Sequence, residues 1–284
     1  FAKNADEALP MGSTAKIATA LTVRKYLTDL DQHITIDESD PVSDPLEFSN
    51  MGLKAGMVLT VHDLLYGLLI PSGNDAAHAF ARVIGANLPG GDTDPQQAFI
   101  DAMNQEAASL GATNTHFATV DGLDGPNHHT TARDLALLAK NLLADPVLAE
   151  IGATYQKSVT TLDESKTELG LTNTNKLLPG AEGGVATVIG VKTGSTDVAG
   201  GCLVIAEKQG DNTVITVILG SDLEYATDGS GYAVDARWDD VATVRTAMTQ
   251  DYAWHSLTNS DDITGLSAEL SAWSVALDDS NEIV

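Results

Sequence analysis

Ser13-Thr14-Ala15-Lys16, Ser72-Gly73-Asn74 and Lys192-Thr193-Gly194 follow one another along the chain and supply residue types that acyl transfer needs. A serine hydroxyl is a weak nucleophile at neutral pH unless a neighbouring base draws off its proton as it attacks. Lys16 lies one helical turn beyond Ser13 on the same face, so its amine is the candidate base. Ser72 offers a second hydroxyl for shuttling a proton, and Lys192 places a cation at a strand edge, where it would meet a carboxylate. Free lysine titrates near pH 10.4, so a base working near neutrality needs a depression of about three units, worth about 4 kcal/mol. Burial in a cleft and a second cation, Lys192, would both push Lys16 that way. With 17 serines and 10 lysines in 284 residues, Ser-x-x-Lys is expected by chance roughly 0.6 times, Ser-x-Asn roughly 0.8 and Lys-Thr-Gly roughly 0.1. All of them in this order fall below roughly 1 in 100.

The elements that must position these residues are legible in the pattern. Apolar positions after Ser13 predict a helix to about Leu27, with Ser13 as its N-cap. Residues 41–59 read as an irregular crossing. Thr60-Val61-His62-Asp63 resembles a capping box opening a helix through Leu69, which Pro71 ends. Ser72-Gly73-Asn74 then falls in the break before a helix from Asp75 to Ile84. Asp94-Pro95 starts a helix to about Leu110, Thr131 caps one to Leu143, and Asp145-Pro146 starts a short one. The period then drops toward two: strands are predicted at 159–162, 185–193, 202–207 and 213–219, the last pair as a hairpin around Gly210-Asp211-Asn212. A final helix is predicted from about Val234 to Met248. Helices in the middle and an antiparallel sheet at the end define an α+β class, a helix/sheet/helix sandwich with a helical lobe. A further strand is expected ahead of residue 1. Residues 1–248 read as one domain and 249–284 as a linker or the start of another.

Composition excludes several function classes. Forty acidic against fifteen basic residues give a net charge of −25, which argues against a nucleic-acid partner. No apolar run is long enough to span a bilayer, so membrane contact is expected only through segments outside this chain. The single cysteine, Cys202, has no internal partner for a disulfide and sits among strand residues as a core side chain. His128 and His129 lie in a loop without a carboxylate at helical spacing, so neither a metal nor another cofactor is expected. Thr131 and Asp134 read as caps.

On these residues the chain resembles the D-alanyl-D-alanine carboxypeptidases among the low-molecular-mass penicillin-binding proteins, active-site serine peptidases with a β-lactamase-like fold. The resemblance runs over roughly residues 1–245, through Leu64 to Ala77, Leu110 to Phe117, Thr130 to Ala136, Thr172 to Asn175 and Gly190 to Gly200. It implies Ser13 as nucleophile, Lys16 as base, Ser72 as the proton donor to the leaving nitrogen, and Asn74 as a partner of Lys16 and of the substrate's amide carbonyl. Lys192 and Thr193 would meet the terminal carboxylate. Gly194 would let the scissile peptide lie against the strand, and the amides of Ser13 and Ser195 would hold the oxyanion. Arg237, near the start of the last helix, would help bind the carboxylate. Partners implied are peptidoglycan stem peptides ending in D-Ala-D-Ala and β-lactam antibiotics. The expected setting is extracytoplasmic, in the cell envelope or secreted, with a part in cell shape.

Two rivals make different demands. A class A β-lactamase needs a deacylating glutamate in a Glu-x-x-Leu-Asn loop, for which Glu168 comes nearest, with Thr172 where the asparagine should stand. A non-catalytic penicillin sensor or peptidoglycan-binding module would acylate or bind without turning over. A pure binder has no need of Lys16.

Overall fold

The computed structural model describes residues 1–42, 49–227 and 231–251. A 3-10 turn, Gly12–Ala15, leads into helix α1 (Lys16–Tyr26). Strands β1 (His33–Thr35) and β2 (Val58–Thr60) pair antiparallel, and α2 (Val61–Leu69), α3 (Asn74–Gly85) and α4 (Pro95–Ser109) build the helical lobe. Helices α5 (Ala132–Ala144) and α6 (Pro146–Ala153) precede the paired strands β3 (Gln156–Thr160) and β4 (Glu168–Thr172). The main sheet, β5 (Val188–Thr196), β6 (Gly200–Gln209) and β7 (Asn212–Ser221), is antiparallel in the order β5-β6-β7. A small hairpin, β8 (Leu223–Tyr225) and β9 (Tyr232–Asp235), comes before α7 (Arg237–Asp251).

Why this is a sandwich can be read along β6, whose residues Gly201 to Glu207 are all buried. Successive side chains of a strand point to opposite faces. Val204 and Ala206 join the large core with Ile17, Ala20, Leu135 and Leu138, whereas Leu203 and Ile205 pack with Trp238 and Val241. The sheet is therefore covered by helices on both faces. A central strand buried on both faces favours apolar side chains on both, which is why Cys202 sits here, fully buried.

The predicted caps form. Thr60 and Thr131 accept hydrogen bonds from the amides of Asp63 and Asp134, and Asp94 and Asp145 cap α4 and α6 ahead of Pro95 and Pro146. Asp134, expected as a cap, contributes its amide to the Thr131 cap, while its carboxylate accepts bonds from the Asn114 amide at 2.7 Å and the Thr115 hydroxyl at 2.8 Å. Ser13 departs from expectation. It lies inside the 3-10 turn and caps nothing, so its hydroxyl is left for other work. Sequence periodicity passed over β1, β2 and β4, and it ran α7 back across β9; each of these strands is only three to five residues long. The chain separates into compact units Phe1–Ala242 and Thr243–Val284, against an expected boundary after 248. From 252 onward, the linker or further domain expected at 249–284 lies outside the described residues.

Two glycines fix where the turn meets the sheet. Gly122 has φ +92°, and a Cβ there would stand 2.1 Å from the carbonyl oxygen of Gly12 and 2.9 Å from the Cα of Ser13. A Cβ on Gly194 would stand 2.7 Å from Met11 O and 3.0 Å from Ser13 N. The space at 194 is thus taken by the backbone of the turn itself, which corrects the expectation that it is kept for the substrate. Gly122→Ala combines a left-handed backbone with a clash against main chain. It should cost about 2–4 kcal/mol, read as a lowered midpoint in urea unfolding; a wild-type midpoint would contradict this packing.

Candidate active site

Ser13, Ser72, Asn74, Thr193, Gly194, Ser195 and Arg237 line one cleft of about 340 Å³, drawn from the 3-10 turn, the α2–α3 junction, β5 and the start of α7. Sequence positions more than a hundred residues apart meet because α1 packs under the helical lobe while β5 runs against the turn.

Lys16 is fully buried, and its ammonium donates to Ser13 Oγ at 3.0 Å, Asn74 Oδ1 at 2.7 Å and the main-chain carbonyl of Asp121 at 2.5 Å. Burial pulls its pKa down to about 8 against the charges of Asp121 and Asp75, which pull it up. Roughly one amine in ten is then neutral at pH 7, against roughly one in three thousand for free lysine. Lys192 too is buried, does not line the cleft, and donates to the carbonyl of its neighbour Thr193 at 3.0 Å. Burial, with the charges of Lys16 and Arg237, pushes it well below its ordinary range. Burial is the largest cause of the depression of both lysines, and two buried cations this close disfavour each other's charged form.

Ser72 has φ +64° and a buried hydroxyl without a hydrogen-bond partner. A β-carbon in the left-handed region is strained, and an orphaned polar atom adds to the cost; such residues concentrate at functional sites. The neighbouring structure enforces the conformation. Asp75 accepts bonds from the amides of Met51, Gly52, Leu53 and Ala76 at 2.9–3.1 Å, and the Asn74 amide donates to Ser49 O at 2.9 Å.

Thr193, Ser195 and Arg237 line the cleft. Arg237, 2% exposed, is no surface ion-pair residue: it donates to Gly194 O at 2.7 Å, Ser195 Oγ at 2.7 Å, Cys202 O at 3.2 Å and the Asp235 carboxylate at 2.5 Å. Thr174, which the residue pattern did not single out for a role, shares a 2.5 Å hydroxyl contact with Thr193. It is held there because Thr174 N donates to Ile70 O, and Asn175 donates to Gly190 O at 3.3 Å. Tyr225, Tyr232 and Trp238 also line the cleft, with the two tyrosine rings 5.1 Å apart. The only sequence signal for them was an aromatic pair flanking a glycine-rich turn.

Glu168 is exposed at the start of β4, accepts from Ser158 Oγ at 2.6 Å and does not line the cleft, so it is not placed to activate a deacylating water. His128 accepts from the Ala118 amide, and burial pulls it down to about 4. Among the described residues no cluster of His, Cys, Asp and Glu could hold a metal, and no helix is long and apolar enough to cross a membrane.

A hydroxyl held by a buried, partly neutral amine, beside a strained second hydroxyl and a strand end backed by a buried arginine, is the equipment of a serine acyl-transfer enzyme. Residues 1–223 match the D-alanyl-D-alanine carboxypeptidases of peptidase family S11, and the chain belongs to that family. It is 37% identical over 229 residues to the D-alanyl-D-alanine carboxypeptidase of Streptomyces sp. strain K15, covering 78% of this chain and 76% of that one. It is 37% identical over 225 residues to the Escherichia coli D-alanyl-D-alanine carboxypeptidase DacC, where it spans 77% of this chain but 52% of the relative. The solved Streptomyces K15 DD-transpeptidase superposes with a TM-score of 0.72 at 32% identity, covering 87% and 90% of the two chains. A D-alanyl-D-alanine carboxypeptidase from Mycobacterium tuberculosis H37Rv gives 0.70 at 31%, covering 86% and 83%. The fold is that of the penicillin-binding DD-peptidases.

Asp75→Ala would leave four backbone amides without their carboxylate and free the Ser72 turn. It should cost about 3 kcal/mol or more, seen as a lowered melting temperature together with lost acylation of Ser13. Full retention of both would contradict the bracing role given to Asp75.

Proposed function

We propose that this chain removes the terminal D-Ala from peptidoglycan stem peptides through an acyl-enzyme on Ser13. The observation that carries the reading is the 3.0 Å contact between the Lys16 amine and the Ser13 hydroxyl inside a buried hydrogen-bond cluster. Neutral Lys16 takes the Ser13 proton as Oγ attacks the penultimate D-Ala carbonyl carbon. The oxyanion forms beside the amides of Ser13 and Ser195, whose main chains are packed together at Gly12 and Gly194. Ser72 passes a proton to the D-Ala nitrogen as the C–N bond breaks, Asn74 fixes Lys16 and the substrate amide, and water then hydrolyses the ester. Thr193, Ser195 and Arg237 receive the terminal carboxylate, while the buried Lys192 amine is held against the Thr193 carbonyl on the same strand. Membership of a cell-wall peptidase family supports extracytoplasmic action on peptidoglycan. It also supports acylation by β-lactams, whose ring amide takes the place of the scissile bond.

Labelled penicillin should attach to the wild-type chain and not to Ser13→Ala, with the adduct mapped to the peptide holding Ser13; equal labelling of both would refute the assignment. Arg237→Lys loses the planar fork that bridges Gly194 O and Ser195 Oγ. It should lower kcat/KM for release of D-Ala from a pentapeptide by about 10-fold or more, with Ser13 labelling by penicillin retained. An unchanged kcat/KM would remove Arg237 from the carboxylate site.

A further inference from the structure

Behind Lys16 lies a second layer of buried charge. Asp121, 4% exposed, holds the Lys16 ammonium through its main-chain carbonyl, while its carboxylate turns away to His78 Nε2 at 3.2 Å and the Leu123 amide at 3.0 Å. On its other side, His78 Nδ1 contacts the main-chain carbonyl of Asp40 at 3.2 Å. Asp40 is in turn clamped by Arg82, at 2.8 Å and 2.6 Å. The imidazole is thus gripped at both nitrogens, and the arrangement runs from Arg82 on α3 across Asp40 and His78 to Asp121 and the base.

We propose that Asp121 and His78 are positioning residues that act as an opposed-charge pair on Lys16, the aspartate favouring its protonated form and the histidine offsetting that influence. The inference rests on Lys16 serving as the base for Ser13. The groups facing Lys16 are Ser13 from its own turn, Asn74 and Asp75 from α3, Asp121 from the loop before α5, and Lys192 from β5. Those facing His78 are Asp121, the Asp40 carbonyl and, by charge, Lys16. Asp121 faces His78 and Lys16, and lies near enough to act on His128.

The electrostatics agree in sign. Burial works to raise Asp121, but the hydrogen bond from His78, the charge of Lys16 and the Leu123 amide hold it at about 2, so it is an anion wherever the enzyme works. Burial works to lower His78, yet its bond to that anion carries it above its usual value, so the pairing favours the imidazolium. A buried aspartate alone would keep the proton on Lys16; paired with an imidazolium it presents much less net charge. Because the contact to Lys16 is made by the main chain of Asp121, replacing its side chain changes the field without cutting the bond.

The test is direct titration of the Lys16 amine by NMR in protein carrying isotope-labelled lysine, with the resonance assigned by its loss in Lys16→Arg. In His78→Leu the anion is left uncompensated, and the Lys16 midpoint should rise by about one pH unit; in Asp121→Asn it should fall by about as much. The acid limb of penicillin acylation should move the same way in each, so that His78→Leu acylates about 3- to 10-fold more slowly near neutrality. His78→Gln, which keeps a hydrogen bond without the charge, should follow His78→Leu and stands in for it if that variant does not fold. A merely structural role would disturb both sites in the same direction. Shifts of the same sign, or no shift in either variant, would overturn the proposal. Opposite shifts in a chain that penicillin does not acylate would leave the pair standing and remove the functional reading instead.

Discussion

A lysine amine sealed from water is the constraint on which the rest of the molecule depends. Burying an ammonium is costly unless it is well paired, and here the pairing is chosen so that it does not restore the whole of the lost basicity. Two of the three acceptors around Lys16, the Ser13 hydroxyl and the Asn74 amide oxygen, are neutral side chains, and the third is a main-chain carbonyl. Among the described residues no carboxylate touches it. The charges of Asp75 and Asp121 act only from a distance, each committed elsewhere: Asp75 to the backbone amides that brace the Ser72 turn, Asp121 to His78. The outcome is a lysine near pH 8, stable enough to be built and neutral often enough to work.

The same economy explains the surroundings. Glycines at 122 and 194 let two stretches of main chain close on the Ser13 turn, so its backbone is fixed by main-chain contacts and its hydroxyl is left to the hydrogen bond from Lys16. Ser72 is held in a left-handed conformation, with its hydroxyl free, by a neighbouring network of amide bonds. Arg237 spends its donors on the carbonyls of Gly194 and Cys202 and the Ser195 hydroxyl, joining the β5 edge to α7 at the place where a carboxylate would dock. Ser72 alone brings both a left-handed backbone and a buried hydroxyl without a partner into the cleft, and the regular core around it provides the stability that offsets this cost.

Much of this was legible in the chain itself, for identifiable reasons. Caps at Thr60, Asp94, Thr131 and Asp145 are local, so their spacing is enough to place four helices. The nucleophile, base and second hydroxyl were legible because they come as short strings in a fixed order. Long-range placement was not. The sequence could not say that Lys192 turns in toward the Thr193 carbonyl, or that Gly194 serves the turn and not the ligand, since both follow from how closely β5 approaches residues 11–14. Nor could it distinguish Arg237 in a surface ion pair from Arg237 buried behind the cleft, or show that His78 and Asp121 meet, because nothing local marks residues that pair 43 positions apart. Short strands such as β4, β8 and β9 carry too few residues for alternation to register.

The central claim is that a neutral Lys16 amine removes the Ser13 proton, and the rate of Ser13 acylation as a function of pH tests it most directly. The wild-type rate should climb with pH and level off above a single ionisation near 8, where the amine has lost its charge. Lys16→Arg, charged at every accessible pH, should acylate about a thousand-fold more slowly, with no rise across that range. A wild-type rate flat through pH 8, or an arginine variant within about ten-fold of it, would contradict the account.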